Sequence, residues 1–194
     1  MSGDKKFRMT IKSLWWDIVN RYVSIGPRWL LFTYIVTLFF TVTLVKVYRK
    51  KSVSIDRVLM TILLFFYLIT VYSSTVLSRN TVAGDLIRIR PLYSWKIALL
   101  GSTYGALQVV ENIILLMPIG VVLPFIVREK KSALITILFG FLYSLFIELS
   151  QLFLRVGFFE TDDLINNTVG VFIGYAFARL IMMVRSLKQL VYNK

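Results

Sequence analysis

The 194-residue sequence contains no cysteine and no histidine. Without cysteine the chain forms no disulfide and offers no thiolate nucleophile, and without either residue it lacks the usual protein ligands of zinc. The absence of histidine also excludes a Ser–His–Asp triad and a histidine proton relay. Any chemistry therefore falls to carboxylates, amides, hydroxyls, arginine or lysine.

Charged residues are scarce as well, at 17% of the chain, whereas 57% of the residues are hydrophobic and the mean hydropathy is +0.73. Several apolar runs approach or exceed the roughly 18–20 residues that cross a bilayer. The net charge is +13, and the basic residues flank these runs, which is typical of topology signals and contacts with anionic lipid. The composition predicts a membrane protein, with membrane lipids rather than nucleic acid as its partners.

The fold class that follows is all-α, a polytopic membrane bundle of about five transmembrane helices. Residues 1–27 form a basic arm whose apolar residues recur at helical spacing, which predicts an amphipathic helix at the membrane interface. Residues 28–194 form the membrane domain, and the segment 78–105 is predicted to be a loop with short interfacial helices. The predicted spans are 29–47, 58–77, 106–127, 133–154 and 164–184.

Charge asymmetry indicates the orientation. The two short connections and the C-terminal end on one face, counted with the flanking ends of the spans (Lys46 and Arg179 included), carry five, three and four Lys and Arg, against four and one in the two connections on the other face. Short basic segments stay on the cytoplasmic side, although counting the N-terminal arm makes the two faces nearly equal. We therefore expect a plasma-membrane protein in which the segments 78–105 and 155–163 are extracellular.

Glu148 is the only acid in the apolar run 134–154. A carboxylate at membrane depth costs roughly 2.5–3.5 kcal/mol at a helix centre. Ser144 lies one turn earlier and Gln151 one turn later, so the three share a helix face. This polar stripe predicts polar partners on other spans.

Two further spans provide such partners. Asn112, beside Glu111, lies near the start of the third predicted span, and Asp162, Asp163 and Asn167 lie around the start of the fifth. Alternating spans bring these ends to one side of the membrane. The sequence predicts an extracellular polar pocket lined by Asn112, Glu148, Gln151, Asp163 and Asn167.

Simpler interpretations stand beside this one. Acids near a helix start favour the helix dipole whatever the function, and Ser144 and Gln151 suit hydrogen bonds between helices. Glu148 is also a candidate for a structural ion pair with Arg79, Arg90 or Arg155. Gly170 and Gly174, four residues apart, predict close helix packing.

The polar spacings resemble those of the VanZ-like family of small membrane proteins over about residues 105–178. The matching motifs are Asn112-x5-Pro118-x-Gly120, Ser144-x3-Glu148-x2-Gln151 and Asp163-x3-Asn167-Thr168-x-Gly170-x3-Gly174. The resemblance implies an association with low-level resistance to the glycopeptide antibiotic teicoplanin.

The upstream match is looser and concerns the arginines. Relatives carry an Arg shortly before a Pro-aromatic pair and another shortly before the acid that matches Asp163. Here Arg90 directly precedes Pro91, while Gly157 stands near the second expected position. The resemblance therefore leaves open whether Arg79 or Arg90 is the basic residue of the pocket.

The sequence leaves three possible functions. The first is that of an envelope protein whose pocket binds an anionic lipid headgroup, a cell-wall precursor or teicoplanin. The second is a membrane enzyme acting on a lipid-linked wall or teichoic-acid intermediate, with Glu148 or Asp163 as catalytic residue and with Mg²⁺ or Mn²⁺ held by Glu148, Asp162 and Asp163. The third is a transporter, which the lack of inverted repeats disfavours, and the oligomeric state stays undetermined.

Overall fold

The computed structural model describes residues 27–50, 54–127 and 132–192. The predicted interfacial helix of the arm lies outside these residues, apart from Pro27, which begins the first helix. The helices are α1 (Pro27–Lys50), α2 (Ile55–Tyr72), α3 (Tyr93–Leu99), α4 (Thr103–Ile126), α5 (Ser132–Leu154) and α6 (Thr161–Tyr192).

The all-α polytopic bundle is confirmed. Within the described residues, four helical segments are long and apolar enough to cross a membrane, and α1 contains a shorter apolar stretch, Leu31–Val45. The four segments are Ile55–Leu77, Thr103–Ile126, Ser132–Leu154 and Thr161–Gln189. Such runs form helices because lipid offers no partner for unpaired backbone groups.

Polar and small residues face inward in this bundle, and large apolar residues face outward. The buried side of α5 carries Thr136, Gly140, Ser144, Glu148 and Gln151, one at every third or fourth position. By contrast, many leucines and phenylalanines on the outer faces are more than half exposed. This distribution is typical of a bundle whose outer surface contacts lipid tails.

Helices α4 and α6 cross at the centre of the bundle in very close contact. A Cβ atom on Gly170 would lie 2.0 Å from the Ile113 carbonyl oxygen, and one on Gly174 would lie 2.1 Å from the Met117 carbonyl oxygen. Only glycine fits at such distances, so the predicted close packing of Gly170 and Gly174 is confirmed. Leu116 and Ile119, in the same stretch of α4, are buried in the apolar core.

The end of α2 widens into a π turn, Ser73–Leu77. The Ser78 N–H donates to the Ser73 carbonyl at 2.9 Å, five residues back. A π turn changes the helical phase of the residues that follow and is frequent at functional sites. Here it lies beside the polar ends of α4, α5 and α6.

The connection from α2 to α4 contains one short helix, α3, and a two-residue strand, β1 (Ile87–Arg88). The strand pairs in parallel with β2 (Phe159–Glu160), which directly precedes α6. The short helix was predicted, whereas the strand pair was not. Together they fix this connection over the polar end of the bundle.

Candidate functional site

A cavity of about 330 Å³ lies where α2 and α5 end and where α4 and α6 begin. We call it the central cavity. Its lining comprises Ser74, Thr75, Ser78, Arg79, Glu111, Asn112, Ile114, Leu115, Ile147, Glu148, Gln151, Asp163 and Asn167. The structure thus brings together the five side chains expected to share a pocket, and their role in binding stays a prediction.

Asp163, in the first turn of α6, is held by amides from α4. Its Oδ1 accepts from Asn112 Nδ2 at 2.5 Å and from Gln108 Nε2 at 3.4 Å. The close α4–α6 crossing, at Gly170 and Gly174 about two and three turns further along α6, makes this contact possible, since it brings the two backbones together. Amide donors stabilise a carboxylate that has lost most of its water.

Glu148 faces the cavity from α5 and is only 2% exposed. Its Oε2 accepts the backbone N–H of Glu160 at 2.8 Å. Glu160 directly precedes α6, so this hydrogen bond joins the Glu148 carboxylate of α5 to the start of α6. Burying this carboxylate is costly, and a single backbone N–H offsets only part of that cost.

The amides of Gln151 and Asn167 complete the inner wall. Gln151 Nε2 donates to the Thr75 carbonyl of the π turn at 3.0 Å. Asn167 Nδ2 donates to Ser144 Oγ at 2.8 Å, which places Ser144 behind the lining as a support for Asn167. The hydrogen bonds between helices expected for Ser144 and Gln151 are therefore present.

Among the residues that the structure describes, Arg79 is the arginine that lines the central cavity. Its guanidinium nitrogen lies 3.2 Å from the point where a Cβ on Gly157 would be, so the missing side chain of Gly157 leaves room for it. The backbone carbonyl of Arg155 accepts a hydrogen bond from the Val82 N–H at 2.7 Å. Arg90 lies further out, beside the Tyr93 ring.

Asp162 points away from its neighbour Asp163, toward α3. It is 5% exposed, and its Oδ2 accepts the backbone N–H of Ser94 at 2.6 Å. Asn166, one turn later, donates to Ser94 Oγ at 3.3 Å and accepts from Trp95 Nε1 at 2.6 Å. These contacts dock α3 onto α6, and Asp162 lines an outer cavity together with Arg90.

Sequence reasoning missed three polar residues next to the central cavity. Gln108 Nε2 donates to Glu160 Oε2 at 2.7 Å, and Arg88 forms an ion pair with Glu160 Oε1 at 2.7 Å. The three residues line a second cavity of about 280 Å³ that shares Arg79 and Asp163 with the first. Gln108 was detectable, since it lies one helical turn before Asn112.

The described residues contain no group of three or more Asp or Glu side chains arranged to hold a metal ion. Of the three acids suggested as ligands, Glu148 and Asp163 line the central cavity, while Asp162 is bonded to α3. Binding of Mg²⁺ or Mn²⁺ stays a prediction.

The fold and this cavity define a class, the polytopic α-helical membrane proteins with a polar site at one end of the bundle. A family model described as VanZ/LLP1 matches residues 28–182, which is most of the chain. The chain belongs to the VanZ/LLP1 family, so the resemblance in its polar motifs is confirmed. No match is found among curated proteins or among solved structures.

Proposed function

We propose that this protein acts in the bacterial cell envelope and reduces susceptibility to glycopeptide antibiotics such as teicoplanin. It does so by holding a polar headgroup in the central cavity, that of a lipid, a lipid-linked wall precursor or the drug. The observation that carries the proposal is the composition of the cavity wall. Four segments contribute polar side chains, and Ile114, Leu115 and Ile147 contribute an apolar side.

This wall suits an amphipathic ligand. The polar groups lie at the ends of membrane-length helices, at the depth of lipid headgroups. Ile114 lines the cavity and is also 42% exposed on the outer face of α4, so the cavity lies beside the surface that lipid covers. Its volume falls within the roughly 300–1,000 Å³ of ligand pockets.

The proposal places the cavity on the extracellular side, in accord with the excess of Lys and Arg at the opposite end. Because the chain lacks cysteine, single introduced cysteines report on this directly. We expect an impermeant maleimide to label Asp85→Cys in intact cells and Lys50→Cys only after permeabilisation. Labelling of Lys50→Cys in intact cells would reverse the orientation.

Removing the cavity carboxylates is expected to abolish protection. Glu148→Gln and Asp163→Asn keep the side-chain volume but remove the negative charge that faces the cavity. In a susceptible host, the teicoplanin inhibitory concentration should fall from the level given by the wild-type chain to that of the empty vector. A glycopeptide without an acyl chain provides the comparison drug.

The matched control is Asp56→Asn, which removes a carboxylate from the first turn of α2 at the other end of the bundle. It should leave protection unchanged at equal membrane abundance. If Glu148→Gln and Asp163→Asn protect as well as the wild type at that abundance, the cavity has no part in resistance.

A second proposal is that the cavity turns over a lipid-linked wall or teichoic-acid intermediate, with Mg²⁺ or Mn²⁺ as cofactor. It draws support from Glu148 and Asp163, two carboxylates from different helices that face one cavity, since paired carboxylates suit acid–base chemistry. If vesicles with purified protein change the mass of such a precursor and Glu148→Gln vesicles do not, catalysis replaces binding as the function.

A further inference from the structure

We infer that the outer cavity binds a sugar ring carried by the ligand of the central cavity. The inference rests on the proposed function and names the class of ligand, a glycosylated amphiphile. It comes from the arrangement of the three cavities and from the kinds of side chain that line the outermost one.

The three cavities adjoin one another in a row. The central and second cavities share five lining residues, Arg79 and Asp163 among them. The second and outer cavities share four, including Tyr104 and Glu160. A ligand whose polar group lies in the central cavity therefore has the outer cavity within reach of a longer headgroup.

Two tyrosines border the outer cavity. Tyr93 begins α3, and Tyr104 lies in the first turn of α4 and is 67% exposed. An aromatic ring has a negative face, on which the C–H groups of a sugar ring pack. Because Tyr104 also lines the second cavity, we assign it as the ring that contacts the sugar.

The charged groups that line the outer cavity are balanced in sign. Arg88 and Arg90 line it together with Glu160 and Asp162. A phosphate would meet the two acids and an ammonium would meet the two arginines, so neither finds a wall of opposite charge. A hydroxyl both donates and accepts hydrogen bonds, so a neutral group with several hydroxyls suits guanidinium donors and carboxylate acceptors together. A sugar ring combines such hydroxyls with apolar C–H faces.

Contacts within the protein hold this wall in place. Arg88 pairs with Glu160 at 2.7 Å, and the backbone N–H of Arg90 donates to Thr161 Oγ1 at 3.1 Å. The Arg90 guanidinium lies 5.6 Å from the centroid of the Tyr93 ring and has no carboxylate partner among the residues that the structure describes. A preformed wall lowers the entropic cost of binding, and the Arg90 guanidinium is left to bind the hydroxyls of the ligand.

The test compares two lipids that differ only in glycosylation. Full-length protein in phosphatidylglycerol nanodiscs is titrated with dioleoylglycerol and with diglucosyl-dioleoylglycerol, and binding is read by native mass spectrometry. We expect the diglucosyl lipid to bind about tenfold or more tightly. Tyr104→Phe keeps the aromatic face and should keep this preference, whereas Tyr104→Leu should lower it about three- to tenfold.

The matched control addresses a simpler role for Tyr104, since exposed tyrosines at the ends of membrane helices also contact lipid headgroups. Tyr34→Leu removes a tyrosine of α1 that is 62% exposed and lines none of the three cavities, so it should keep the full preference. An equal loss in Tyr34→Leu and Tyr104→Leu would assign the effect to the bilayer and overturn the inference. An undiminished preference in both Tyr104→Leu and Arg90→Gln would place the sugar elsewhere and overturn it as well.

The sugar has two sources, a membrane glycolipid and the glycopeptide itself. Displacement of the diglucosyl lipid by teicoplanin but not by its aglycone assigns the sugar to the drug, and retention of the lipid against both assigns it to a glycolipid. Equal binding of the two lipids by the wild type overturns the sugar inference but leaves the proposed function in place. Binding of no lipid, precursor or drug removes the proposed function and the inference with it.

Discussion

Replacing Gly170 with alanine is expected to prevent the bundle from reaching its native packing. The added Cβ would lie 2.0 Å from the Ile113 carbonyl oxygen and 2.8 Å from its carbonyl carbon. These are backbone atoms of α4, so relief requires α4 and α6 to move apart along the whole crossing. We expect a loss of about 2–4 kcal/mol in the free energy of unfolding.

The measurement is the unfolding of purified protein followed by the fluorescence of its four tryptophans, together with its abundance in the membrane. Ala176→Leu is the matched control, since it adds a larger group to an exposed position on the same helix. It should unfold like the wild type. A Gly170→Ala protein as stable as this control would show that the crossing is looser than the structure gives.

Gly157 provides an informative contrast to Gly170. The atoms nearest to an added Cβ there are the Arg79 guanidinium and the Gln151 side chain, each at 3.2 Å. The Arg79 end can shift at little cost, and although Gln151 Cβ is fixed to the α5 backbone, a distance of 3.2 Å requires a far smaller adjustment than the 2.0 Å approach at Gly170. Gly170 therefore sets the distance between α4 and α6, whereas Gly157 leaves room for the Arg79 guanidinium.

The spans and the end at which polar residues gather could be predicted from the sequence. Apolar runs of membrane length must form helices, and alternating directions fix which helix ends meet. Glu148, Gln151 and Asp163 therefore converge in the structure as expected. Each lies on an inward face because a polar side chain facing lipid would be more costly than one facing another polar side chain.

Contacts between distant segments could not be predicted in the same way. The position of Arg79 depends on the π turn and on the space above Gly157, two features far apart in the chain. The pairing of β1 with β2 involves only two residues on each side, too few to leave a periodic pattern. Tertiary contacts decide such short elements, and local sequence gives little signal for them.

The pair Asp162 and Asp163 shows why residue type alone does not assign a role. Consecutive residues on a helix point about 100° apart, so two identical side chains face different neighbours. Asp163 lines the central cavity, whereas Asp162 accepts the Ser94 N–H at 2.6 Å. The sequence proposed both as ligands of one site, and the structure divides them between the cavity and the support of α3.

Loss of the Asp162 carboxylate is accordingly expected to release α3 from the bundle. At seven residues α3 is too short to be stable alone, and Asp162→Ala leaves the buried Ser94 N–H without its acceptor. A hydrogen bond to a charged group contributes about 1.5–3 kcal/mol, so amide exchange in Tyr93–Leu99 should accelerate by about 10- to 100-fold. Hydrogen exchange read by mass spectrometry measures this.

Two comparisons make the result specific to this contact. Asp162→Asn keeps an oxygen that accepts the Ser94 N–H, so it should restore most of the protection in α3. Asp85→Asn removes an exposed carboxylate from the same connection and should change nothing in α3. Release of α3 should open the outer cavity, which Tyr93 and Tyr104 border, without unfolding α4 to α6. Full protection of α3 in Asp162→Ala would mean that Asn166, through Trp95 and Ser94, is sufficient to hold the helix.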